Sequence, residues 1–241
     1  MSKLHLPLAC LVFALCATIP PITRESLPAL FASLATSDSV CAVKGFGELG
    51  ITAGGRRLTA TIELQWRGDS DFTLNLYSPF GGLIASATGG STGEWTVSEG
   101  NSFSKKLPRD SVELGHGMID YPFSYSDFLH ILSGRLPDCG IMRKDADSLF
   151  LNGKKAFLHW YGTSMYGRTM TVTAIINRKH SSVTDVIYHV TKEPAWDLTF
   201  SSFTRGVAKE IRFKDAHKNY FHLSYEKMIS WRGGECRDKK W

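Results

Sequence analysis

Eight histidines are the side chains best suited to metal or proton chemistry in this chain, and their spacing argues against both. A metal or general-base site needs ligands that converge, as two histidines do when a helix places them four residues apart around a glutamate. His217 and His222 are five apart around a strand start, and His159 and His189 fall on separate predicted strands. None belongs to an H-E-x-x-H pattern or a dense carboxylate cluster. Ser91 (GGSTG) and Ser164 (GTSMYG) lack the spacing of a nucleophile elbow. GGSTG resembles a phosphate nest, yet no Lys-Ser/Thr pair or helix follows it, so it reads as a hairpin turn. Asp145 and Asp147 (KDADS) begin no EF-hand loop. The five cysteines, Cys10, Cys16, Cys41, Cys139 and Cys236, show no C-x-x-C spacing and hence no zinc or thioredoxin-like motif. In an oxidising compartment they allow one disulfide among Cys41, Cys139 and Cys236 with one thiol left over. The expectation is a non-enzymatic protein with no catalytic residues, no metal site and no cofactor.

What the sequence does offer is apolar surface on strands. In residues 57–66, Leu58, Ala60, Ile62, Leu64 and Trp66 share one face and Thr59, Thr61, Glu63 and Gln65 the other. GDSD is a turn signal, after which Phe72, Leu74 and Leu76 resume the alternation. Period-two patterning begins at Val43. It continues in 83–87, 94–98 and 102–106, then in 156–161, 169–177, 183–190, 195–203, 208–213 and 220–229. One segment breaks it. Residues 123–134 (FSYSDFLHILSG) carry a capping-box-like Ser124 and Asp127, a stripe of Phe128, Leu129 and Leu132, and Gly134 as a stop, which predicts a helix. A short amphipathic helix is also predicted over 24–35. The fold class expected is α+β and mainly antiparallel β: a half-open, unclosed β-barrel of about eleven strands with a covering helix.

The 241 residues suit one domain. An apolar content of 43% with 21% charged residues excludes wholesale disorder. A net charge of +5 is too small and too scattered to indicate a nucleic-acid partner. Residues 1–17 read as a signal sequence, with Lys3 before the apolar stretch from Leu4 to Leu15. Its apolar run is too short for a membrane span of about 20 residues. Cys16 is the candidate lipidation site, although it follows the bulky Leu15; Cys10 follows the small Ala9 but leaves a very short apolar region. Residues 232–241 form a basic tail with Arg232, Arg237, Lys239 and Lys240.

The order of these features resembles the LolA/LolB-like lipoprotein-carrier family, its LolB receptor branch more than its soluble carriers. The resemblance rests on GRRLTATIELQW followed by DFTLNLYSPFGG, on the helix YSDFLHILSGRLP, and on the closing strands AWDLTFSSF, AKEIRF and YFHLSYEKMISW. It covers residues 24–231. It implies a protein of the outer membrane facing the periplasm, or soluble in the periplasm if not acylated. Such a protein accepts lipid-modified proteins from a periplasmic LolA-like carrier in an apolar cavity. It delivers them to the outer membrane, and a monomer is expected. The alternative is an envelope lipoprotein of the same fold that binds another hydrophobic ligand or scaffolds envelope assembly. The cavity lining would be Leu58, Ile62, Leu64, Trp66, Phe72, Leu74, Leu76, Phe128, Leu129 and Leu132. The loop Pro79, Phe80 and Gly81 stands where LolB has a protruding loop with an exposed apolar residue, so it is expected to contact the membrane.

Overall fold

The structure is a computed structural model that describes residues 40–68, 71–89, 94–99, 103–108, 125–136, 146–163, 169–179, 182–191 and 195–233. The predicted signal sequence, the helix over 24–35, Cys10, Cys16, Ser91, Cys139, Asp145, Ser164, Cys236 and nearly all of the basic tail lie outside them. So does the side chain of Phe128.

One antiparallel sheet of thirteen strands, not closed on itself, makes up the half-barrel. The first wing comprises β1 (Val40–Ala53), β2 (Arg56–Arg67), β3 (Asp71–Tyr77), β4 (Leu83–Gly89), β5 (Glu94–Glu99) and β6 (Phe103–Pro108). Helix α1 (Tyr125–Leu132) follows. The second wing comprises β7 (Ser148–Asn152), β8 (Lys155–Thr163), β9 (Thr169–Asn177), β10 (Ser182–Val190), β11 (Trp196–Thr204), β12 (Val207–Asp215) and β13 (Tyr220–Arg232). Each wing is a meander in which sequential strands pair. Among the described residues they join where β1 pairs with β13, so the strands run from the centre out to β6 and return from β7 at the far edge to β13 at the centre.

The period-two patterning becomes the two faces of this sheet. In β2, Ala60, Ile62, Leu64 and Trp66 are buried on the inner face while Thr59, Thr61, Glu63 and Gln65 stay half-exposed on the outer one. The inner core continues across the join through Val43, Leu49, Leu223 and Tyr225 into Ile211, Leu198, Val186, Val172 and Leu158. At the join, β1 carries Gly45 and Gly47 on inward positions. A Cβ on Gly47 would lie 2.2 Å from the Ser224 carbonyl oxygen, so only glycine permits that approach. The register of β1 with β13 shifts at the same place, between Phe46 and Gly47.

Every strand but one falls on a segment whose alternation the sequence showed. The exception is β7 (SLFLN), whose five residues are all exposed and whose three central side chains are all apolar, so it shows no alternation. Among the described residues, no helix is long and apolar enough to cross a membrane.

Candidate functional site

Helix α1 lies against the inner face and closes over it. Its residues Leu129, Ile131 and Leu132 are buried in one cluster with Ile62, Leu64, Trp66 and Phe72. Leu74 and Leu76 pack against that cluster partly buried. Leu58, on the same face, sits at the open end of β2 and is 44% exposed. Apart from Phe128, whose side chain lies outside the described residues, the sequence-predicted lining is therefore brought together against the helix, with Leu58 at its margin.

Among the described residues, three ties fasten α1 at its C-terminal end. Gly134 has φ +72°, and the bonds from Gly134 N to Ile131 O and from Arg135 N to His130 O form a Schellman cap. The Gly134 carbonyl then accepts the Ala208 amide of β12 at 2.8 Å. A Cβ on Gly134 would meet the Ala208 oxygen at 2.3 Å. The second tie is Tyr225 of β13, whose hydroxyl donates to the Leu132 carbonyl at 2.6 Å. That carbonyl belongs to the last turn, where helix carbonyls lack internal N–H donors. Tyr225 reaches it because its ring lies over Gly45, where a Cβ would come within 2.5 Å of the ring. Complete burial raises the Tyr225 pKa far beyond the ordinary phenol range, so the hydroxyl remains a donor at any working pH. The third tie is the Arg135 guanidinium, 4.6 Å from the centre of the Trp66 ring, whose edge also meets His130. The sequence reading missed Tyr225. Its only local signal is an aromatic on the inner face of β13, the strand next to the inward glycines of β1.

The second feature is the β3–β4 hairpin. Ser78 O accepts Gly81 N at 2.9 Å, Ser78 N donates to Gly82 O at 2.7 Å, and Gly81 takes φ +83°. This is a three-residue hairpin loop of Pro79, Phe80 and Gly81. The Ser78 hydroxyl adds a bond from Gly82 N at 3.1 Å. Phe80 occupies the tip and is 98% exposed. A well-bonded turn thus holds a large apolar side chain entirely in solvent.

The outer face is polar and its histidines stay apart. His189 is hydrogen-bonded to Asp197, and His159 Nδ1 lies 2.9 Å from the Thr173 hydroxyl. His222 lines an outer groove of about 540 Å³ with Glu48, Arg57, Tyr220 and Glu226. Its pKa is lowered, first by burial and then by Arg212, while Glu210 and Glu48 act in the opposite sense. Among the described residues, no three His, Cys, Asp or Glu side chains are grouped to hold a metal ion. Cys41 is disulfide-bonded, with its Sγ 3.3 Å from the Trp231 carbonyl oxygen.

No protein-family model matches the chain, and no curated protein matches it in sequence. Its fold is similar to solved structures. A DUF1329 family protein from Desulfovibrio piger superposes with a TM-score of 0.57 at 11% identity, covering 86% of this chain and 92% of that one. A LolA superfamily protein from Nitrosomonas europaea superposes with a TM-score of 0.52 at 11% identity, covering 87% of this chain and 96% of that one. The half-barrel is thus shared with a LolA superfamily protein, and neither similarity singles out the LolB branch.

Proposed function

We propose that this protein is an exported, LolB-like sorting protein that shelters the acyl chains of lipid-modified proteins against its inner face. It would release them at the outer membrane, working from the periplasmic side as an acylated or soluble monomer. Acyl chains need apolar contact rather than polar chemistry, at about 0.8 kcal/mol per buried methylene. The inner face of β2 and β3 supplies such contact once α1 moves aside. No nucleotide is needed when a cargo passes from a weaker binder, such as a LolA-like carrier, to a stronger one.

The observation that carries this reading is Phe80, 98% exposed on a hairpin turn closed by two backbone bonds. Its exposure forgoes roughly 1.5–3 kcal/mol of burial, which a bilayer interface would restore. Transfer from a lipoprotein-loaded carrier to liposomes tests it, comparing wild type with Phe80→Glu. The reading expects both forms to take up cargo and only the wild type to deliver it. Uptake without any difference in delivery would leave the alternative, a protein of this fold sheltering another hydrophobic ligand. Failure of both forms to take up cargo would overturn lipoprotein sorting here.

A further inference from the structure

Strand β2 runs past the β3–β4 turn. Thr61 pairs with Tyr77, the last residue of β3, while β2 continues outward to Arg56. Extended past its last pair, that register puts Leu58 level with the Phe80 tip along β2. Leu58, Phe80 and Leu83 are 44%, 98% and 38% exposed, so three large apolar side chains are presented to solvent at this end of the sheet. Arg56 and Arg57, both exposed, flank them.

Two further cations lie along this end of the sheet, among the carboxylates of Asp197 and Asp215. Arg57 pairs with Thr52, Thr52 with Tyr220 and Tyr220 with Lys214, which sets Arg57 and Lys214 on one line across four strands. The exposed Lys218 follows in the β12–β13 turn. Glu48 and Glu226 line the outer groove beside Arg57, and the two aspartates at this end are occupied. Asp215 is buried and accepts both the amide and the side-chain nitrogen of Asn219, at 2.8 and 2.7 Å. Asp197 is bound to His189.

Apolar tips beside guanidinium groups complement a surface that is apolar beneath and anionic above. We propose that the Phe80 end of the sheet docks on a bilayer bearing anionic lipid headgroups. Arg56 and Arg57 meet the headgroups, and Phe80, Leu58 and Leu83 enter between them. This rests on the reading that Phe80 meets a membrane and adds the lipid chemistry that selects the surface.

Vesicle co-sedimentation of the full protein tests it, using phosphatidylcholine vesicles with and without one-third phosphatidylglycerol. Each basic side chain near an anionic surface strengthens binding about fivefold, so two arginines give the wild type a preference of about 25-fold for the anionic vesicles. Arg56→Gln with Arg57→Gln should remove most of that preference. Lys154→Gln with Lys179→Gln makes the same charge change in exposed turns at the opposite end and should retain it. Equal loss in both double variants, or no preference in the wild type, would overturn the inference. Phe80→Glu separates it from the reading beneath it. If Phe80→Glu weakens binding to both vesicle types and the arginine variant changes neither, membrane contact stands and headgroup selection fails. If Phe80→Glu binds both as the wild type does, the membrane reading itself fails.

Discussion

Replacing Tyr225 by Phe would loosen the cover of the inner face without disturbing its packing. The ring keeps its place over Gly45, and only the hydroxyl bonded to the Leu132 carbonyl is lost. Leu132 is buried and its carbonyl lies in the last helical turn, so water does not readily replace the lost donor. Leaving a buried acceptor unsatisfied costs about 1–3 kcal/mol. If the loss acts on the closure of α1, the population of the open helix rises by about 5–150-fold. Amide exchange measured residue by residue is the assay. Ile131 and Leu132 should exchange faster by that factor, while Val172 and Ala174 in β9 keep their protection. An apolar fluorescent dye should report the same opening as increased binding. Equal acceleration in α1 and β9 would show that the bond supports the whole fold and that α1 is no separate cover. Unchanged exchange in α1 would show that the bond contributes nothing there.

Gly134→Ala attacks the same closure through the backbone. It forces a side chain onto φ +72° and a Cβ to within 2.3 Å of the Ala208 oxygen, so a loss of at least ~1–2 kcal/mol is expected in thermal unfolding, more than for Gly153→Ala in an open turn. The lowered pKa of His222 means that the unfolded chain binds a proton more readily than the folded one, so stability should decline as pH falls below 6.5 and level off once the folded-state pKa is passed. His222→Gln should flatten that part of the denaturation-versus-pH curve, and an unchanged slope would assign it to other groups.

The elements that alternate cleanly were legible in the sequence. Residues 57–66 read as a strand with one apolar face, and β2 has that face. Gly134 read as a helix stop and takes the left-handed conformation a stop requires. Phe80 in Pro-Phe-Gly-Gly read as a turn tip and is one. Strand β7 was not legible, because an edge strand exposed on both sides has no buried face to write a period into its five residues. In β1 the inward glycines at 45 and 47 blank out the apolar positions, so the pattern there is weak even though the strand is central. The bond from Tyr225 to Leu132 spans 93 residues, and local spacing carries no information about such a contact. The cover was therefore readable as a helix, and its fastening was not.

The fastening and the hairpin tip lie at opposite ends of the sheet, which bears on how uptake and delivery can be related. Trp66 pairs with Val43 and Ala208 with Phe203, both near the end where β1 begins and β12 starts. Phe80 lies at the other end, level with the beginning of β2. Strand β2 joins them, with Trp66 under Arg135 at one end and Arg56 to Leu58 beside Phe80 at the other. Eight residues separate Leu58 from Trp66, roughly 26 Å of extended strand, well beyond the 7–10 Å within which substitutions couple through shared contacts. Membrane contact at Phe80 therefore has no direct contact path to the ties on α1. Unless docking shifts β2 as a rigid element, Tyr225→Phe should leave vesicle binding at its wild-type value, and Phe80→Glu should leave α1 exchange unchanged. Additive effects in the double variant would mean that the protein opens on its own and uses the membrane only as a destination. Coupling between them would make β2 the strand that tells α1 when the membrane has been reached.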